Sequence, residues 1–129
     1  MVEGDKNCEI INKTKGKVPT LPFVKIKNNI LGKRYDLSIA FVSPAKSKKI
    51  NRKYKKKDKP TNILSFPLSE KLGEIILQPN LIKKEAPNFK MNYTQFTKFL
   101  LIHGMLHLKG MQHGSTMERE EKKLLNKFS

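Results

Sequence analysis

A chain of 129 residues with 37% hydrophobic and 29% charged content is long enough to bury one core of ordinary size and too apolar to stay disordered, so residues 1–129 read as a single domain. Its 27 Lys and Arg against 11 Asp and Glu leave a net charge of +16, a field that attracts RNA, DNA or an anionic membrane surface, although a lysine-rich proteome would produce the same balance. The lone Cys8 excludes an internal disulfide framework, the N-terminal stretch has no apolar signal-like run, and nothing approaches the roughly 18 apolar residues of a membrane span; the expected compartment is the cytosol.

In chain order, "NCEIINK" alternates around Ile10 and Ile11 and reads as a first strand, followed by a Lys-, Gly- and Pro-rich connection through Pro22. "FVKIKNNILG" spaces Phe23, Ile26, Ile30 and Leu31 as one helical face and stops at Gly32. In "YDLSIAFV", Leu37, Ile39 and Phe41 alternate with Ser38, Ala40 and Val42, the period of a strand. Ser43 and Pro44 then supply an N-cap acceptor and a preset first-turn φ for a basic helix. Between Lys46 and Lys59 it carries nine Lys or Arg and one acid, Asp58; only Ala45, Ile50 and Tyr54 are apolar enough to anchor it, and Pro60 breaks it. "TNILSFPL" and "GEIIL" are β-rich runs close enough to form a hairpin, with Pro67 confining the first to an edge or to its own end. "NLIKKEA" reads as a short helix before Pro87.

The strongest helix signal lies in "MNYTQFTKFLLIHGMLHLKG", where Tyr93, Phe96, Phe99, Leu100, His103, Leu106 and His107 recur at three- and four-residue spacing. From Phe99 to Leu108 it is apolar on nearly all sides, which places it in the middle of the domain. The closing "STMEREEKKLLNKF" offers Ser115 and Thr116 as caps, with acids early and lysines late to suit the helix dipole.

All three histidines fall between positions 103 and 113. Residues four apart on a helix have Cβ atoms about 5 to 6 Å apart, so His103 and His107 can converge on one ion with Zn–N bonds of about 2 Å. Gly110 lets the chain leave the helix through a left-handed turn and bring His113 back over the same face. A histidine pair at this spacing is commonly chance or a pair of satisfied half-buried rings. The third histidine, beyond a glycine placed to turn the chain, favours a three-imidazole site with one side open, as catalytic zinc requires, although nickel, copper or iron suit the same donors. Gly104 stands where H-E-x-x-H zinc proteases place their general base. The missing carboxylate and the net charge both favour a phosphodiester over a peptide, because phosphodiester cleavage draws mainly on Lewis-acid charge neutralisation.

The stretch "HGMLHLKGMQH", with "INRKYKKKDKPTNILSFP" and "GEI" at Gly73–Ile75 before it, resembles the YbeY family of bacterial rRNA maturation factors, whose patterns are H-G-x-L-H-L-x-G-Y-D-H, L-N-x-x-Y-R-x-K-D-x-P-T-[DN]-V-L-S-F-P and G-[DE]-I. The likeness runs from about Asp36 to the C-terminus. It implies an α+β domain with a small mixed sheet packed by helices, the central helix carrying the H-x-x-x-H ligands. It implies one Zn²⁺ per chain on His103, His107 and His113, and cytoplasmic single-strand endoribonuclease activity in 16S rRNA 3′-end maturation and ribosome quality control. The partners it implies are rRNA, pre-ribosomal particles, ribosomal proteins or a ribosome-associated GTPase. Lys55 falls on the family's arginine, keeping the charge without the bidentate fork, and would offset charge on the reacting phosphate. Lys46, Lys48, Lys49, Arg52, Lys53, Lys55, Lys56, Lys57 and Lys59 would track the RNA backbone. Met111 and Gln112 replace the family's Tyr-Asp pair. Two readings stand beside this one: a metallopeptidase-like hydrolase, and a non-catalytic ribosome-assembly factor with a structural zinc.

Overall fold

The computed structural model describes residues 6–55 and 61–129, with Lys55 represented by its backbone. Four strands form a mixed sheet in the order β1-β2-β4-β3: β1 (Cys8–Asn12), β2 (Asp36–Phe41), β3 (Ile63–Ser69) and β4 (Leu72–Leu77). β1, β2 and β4 run parallel, with Ile10 opposite Ile39 and Ile39 opposite Ile75, while β3 returns antiparallel along β4 as the expected hairpin. Pro67 lies on the edge strand, where its missing N–H costs no interior ladder bond, next to a register shift between Pro67 and Ser69.

The period-two alternation of β2 and β4 sorts side chains onto two faces. Leu37, Ile39, Phe41, Ile75 and Leu77 enter the main core, which is closed by α1 (Phe23–Ile30), α3 (Pro79–Glu85), α4 (Tyr93–Leu108) and α5 (Ser115–Lys127). Ala40, Val42, Leu64 and Ile76 form a smaller cluster on the reverse face beneath α2 (Pro44–Lys55). Burying such side chains contributes about 25 cal/mol per Å² of apolar surface, so the face with the larger cluster dominates stability. α4 lies on that face in contact with β3, β4, α1, α3 and α5, in the central position its all-round apolar sequence requires.

α2 starts as its sequence indicates, with the Lys46 N–H donating to Ser43 Oγ at 3.2 Å. Its attachment differs from the expected one. Ala45 and Tyr54 are exposed and Ile50 only partly buried, whereas Ser47 and Asn51 are buried. Ser47 Oγ donates to the Thr61 carbonyl at 2.9 Å and accepts from the Thr61 N–H at 3.2 Å, tying the helix to the start of β3. A helix this basic has too few apolar side chains to make a stripe, so satisfied polar groups take the inward face. Pro60, expected to end the helix, lies outside the described residues.

α4 begins with a capping box not anticipated from the sequence: Asn92 Oδ1 accepts from the Gln95 N–H at 2.8 Å and Gln95 Oε1 from the Asn92 N–H at 2.9 Å. α5 begins at Ser115, but its N-cap is Gly114 and no side chain caps it, correcting the role expected of Ser115 and Thr116. Among the described residues no helix is long and apolar enough to cross a membrane.

Candidate metal centre

The end of α4 sets the geometry of the histidines. Gly110 takes φ +105°, its N–H donates to the His107 carbonyl at 3.0 Å and the Met111 N–H reaches back to the Leu106 carbonyl at 3.0 Å. This is a Schellman turn, and half-buried Met111 packs against the core beside it. The turn reverses the chain so that His113 returns over the helix. The ligand nitrogens of His103, His107 and His113 all lie within 4.8 Å of one another, with ring centroids 4.6 to 4.9 Å apart.

His103 Nε2 and His107 Nε2 face each other at 3.1 Å. At that distance the pair either shares a proton in an N–H···N hydrogen bond or, with both nitrogens unprotonated, shares a cation that takes the proton's place. Tetrahedral zinc with bonds of about 2.0 to 2.1 Å holds its ligand nitrogens about 3.3 Å apart, so the pair already stands close to that requirement. His113 is exposed on the turn, and His103 and His107 are half-buried, which leaves the outer side open. The three residues therefore fit the donor set of an open zinc site.

Burial holds the His107 imidazole below its ordinary value, and the neighbouring His103 and His113 rings push in the same direction; a hydrogen bond with the Met111 backbone and the Glu121 charge act against them. A ring kept neutral at pH 7 presents the lone pair a metal needs.

Glu121 was not singled out in the sequence. His103 Nδ1–H donates to its Oε2 at 2.9 Å, and the residue is 7% exposed. Holding the proton on Nδ1 fixes the tautomer that turns Nε2 toward His107. A signal was present: Met117, Glu121 and Leu124 share the buried stripe of α5, so a carboxylate occupies a position where the helix otherwise presents apolar side chains to α4.

Gly104 has a packing role. A Cβ there would come within 2.8 Å of Ser65 Oγ, 2.9 Å of Ile63 Cδ1 and 3.3 Å of Ile75 Cδ1, so the glycine lets α4 approach β3 and β4. Position 104 is buried against the sheet, and a glutamate there would be driven into Ser65 and Ile63.

The basic residues of α2 separate into sets. Lys46, Lys49 and Lys53 are exposed and line one side of the helix above the reverse face of the sheet; Arg52 is exposed and Lys48 half-buried outside that row. Lys55 ends α2, and its side chain, like Lys56, Lys57 and Lys59, lies outside the described residues. Gln112 is exposed.

The family model described as Endoribonuclease YbeY matches residues 7–129. Proteins named Endoribonuclease YbeY are similar along most of the chain: that of Aliarcobacter butzleri is 30% identical, covering 93% of this chain and 91% of its own length. That of Buchnera aphidicola is 34% identical, covering 92% and 87%. The solution structure of a Thermotoga maritima protein superposes with a TM-score of 0.64 at 25% identity, covering 94% of this chain and 88% of that one.

Proposed function

The chain belongs to the YbeY endoribonuclease family, and from that premise we propose that it is a zinc-dependent endoribonuclease of the cytoplasm, cutting single-stranded RNA in the maturation of the 16S rRNA 3′ end and in ribosome quality control. The observation that carries the zinc reading is the trio His103, His107 and His113 with Glu121 behind His103. A zinc ion held by these imidazoles supplies Lewis acidity toward a phosphodiester.

The chain's own residues do the rest. Glu121 keeps the His103 proton on Nδ1, so Nε2 stays a donor atom for the metal. His113, on the exposed turn, leaves the outer side of the site free for an RNA strand. Lys55, at the end of α2, brings a positive charge to the phosphate as charge builds up there. Lys46, Lys48, Lys49, Arg52, Lys53, Lys56, Lys57 and Lys59 hold the RNA backbone, which makes binding steeply salt-dependent. rRNA within pre-ribosomal particles is the proposed substrate, with ribosomal proteins or a ribosome-associated GTPase as partners.

The metallopeptidase reading keeps the histidine spacing in its favour but gains nothing at position 104, which faces β3 and leaves no room for a base at the metal. An assembly factor with a purely structural zinc is separated from the enzyme by one experiment. His107→Ala is compared with the parent chain for zinc content and for cleavage of a labelled single-stranded RNA. Loss of both with the fold retained supports the enzyme; cleavage that continues without zinc removes the metal from the chemistry, and unfolding on zinc loss supports the structural role.

A further inference from the structure

Between α2 and the sheet face turned away from the histidines lies a groove of about 560 Å³, a volume typical of ligand-binding clefts. All four strands contribute to it. Its floor is Ser38, Ala40 and Ile76, with Glu74 beside them; its rim carries Lys13 from beyond β1 and Lys46, Lys49 and Lys53 from α2. At the β3 end stand Tyr54, 59% exposed, and Phe66, with ring centroids 5.3 Å apart in an edge-to-face pair; Leu68, also 59% exposed, flanks them.

We propose that this groove is a second binding site for single-stranded RNA, taking phosphates on Lys13, Lys46, Lys49 and Lys53 and stacking a base on Tyr54. The inference rests on the RNA-cleaving reading of the histidine site and extends it to a surface that holds RNA without cutting it. Four lysines against one acid give the groove a positive field, which selects an anionic occupant. Lys46, Lys49 and Lys53 are three and four residues apart, so they stand in one row and present cations to a polyanion at regular intervals. An acidic peptide would satisfy the lysines equally well. It would draw Lys53 Nζ, which lies 5.3 Å from the Tyr54 ring centroid, without giving that ring a stacking partner, and would set its carboxylates near Glu74. A nucleotide takes Lys53 on its phosphate and supplies a π face for the ring and N–H donors for Glu74.

The strand order explains how one RNA could reach both places. Ser65 faces α4 beneath Gly104, and the next residue, Phe66, faces Tyr54 on the reverse side. β3 is the edge of the sheet, so a strand leaving the histidines has only this one strand to round before entering the groove.

The test uses the full zinc-loaded chain and a fluorescein-labelled 2′-O-methyl oligouridylate read by anisotropy, with a 5-bromouridine version for photo-cross-linking. Tyr54→Ala weakens binding roughly tenfold, as expected for the loss of one stacked base. Replacing Lys46, Lys49 and Lys53 together by alanine lowers the slope of log K against log salt by about 2. Cross-links map to Tyr54 or Phe66. Parent-like binding by both variants, or cross-links confined to α4 and α5, overturns the groove, as does displacement of the oligonucleotide by polyglutamate at lower concentration than by unlabelled RNA. Because the readout is binding, an absence of cleavage by the parent chain would count against the enzymatic reading and leave this result intact.

Discussion

The two faces of the sheet are built on opposite principles. On the face of α1, α3, α4 and α5, Ile39, Ile75, Leu101, Ile102 and Met105 are fully buried, and the helices touch the strands closely enough to demand a glycine at 104. On the other face one basic helix, tied to β3 through Ser47 and burying Asn51, lies over a four-residue apolar cluster, and an open groove remains. The metal site proposed for the histidines needs nitrogens fixed to within a fraction of an ångström, toward which the packing of α4 and the Glu121 contact to His103 contribute. The RNA track proposed for the groove needs exposed charge and tolerates play. The chain concentrates its apolar residues where the first requirement applies.

The strongest way to break this contrast is at the ligands. His107→Ala should lower zinc affinity by more than the roughly 100-fold that loss of an outer-shell partner costs, and cleavage should fall with it; equilibrium dialysis against a chelator and a single-turnover RNA assay measure the two. RNA binding by the groove on the reverse face should survive. Next is Gly104→Glu, which forces a carboxylate among Ser65, Ile63 and Ile75; overpacking and an unpaired buried charge together should cost about 3 kcal/mol or more, read by urea unfolding. A stability close to that of the parent would mean that α4 can lift from β3, and the description of this face as closely packed would fail.

Glu121→Ala tests the support behind the ligands, with an expected loss of roughly 10- to 100-fold in zinc affinity and an unchanged helical circular dichroism spectrum. Glu121→Gln, which keeps an acceptor but no charge, should fall between the two. Unaltered affinity in the alanine variant would reduce the contact to helix packing. The counterpart on the reverse face is Ser47→Ala. It strands the Thr61 N–H and should cost about 1 to 3 kcal/mol of stability while leaving zinc affinity alone.

The same contrast governs what the sequence could disclose. α4, the hairpin of β3 and β4, and the return of His113 after Gly110 follow from apolar periodicity and turn chemistry, which dense packing obeys. The attachment of α2 did not follow, because Ser47 faces inward by virtue of hydrogen bonds to Thr61, 14 residues further along the chain, and Asn51 is a polar side chain buried on the same helix. Gly104 showed what was missing from the site but not the approach of β3 that requires it. Glu121 sits on a legible stripe, but its partner is 18 residues away across a turn, and charge on a helix is ordinarily a solvated face. The groove depends on a crossover that brings Lys13 of one strand end beside α2, a relation invisible to local pattern.

The smallest expected effect is the pH response, and it acts on one face only, since every histidine of the chain lies between 103 and 113. Burial, reinforced by the neighbouring rings, keeps His107 below its ordinary value of 6.5 in the folded chain. As pH drops through that ordinary value the unfolded chain takes up a proton that the folded chain still refuses, so the unfolded state binds more protons and stability falls. The loss grows until the folded ring protonates as well, and then levels off. Thermal unfolding of the metal-free chain in buffers from neutral to mildly acid should show this decline, and His107→Gln should make it shallower. With zinc bound, the ion competes with the proton for the same nitrogen, so the decline should begin at lower pH. An identical pH response in the parent and in His107→Gln would mean that the ring is not desolvated beneath the turn.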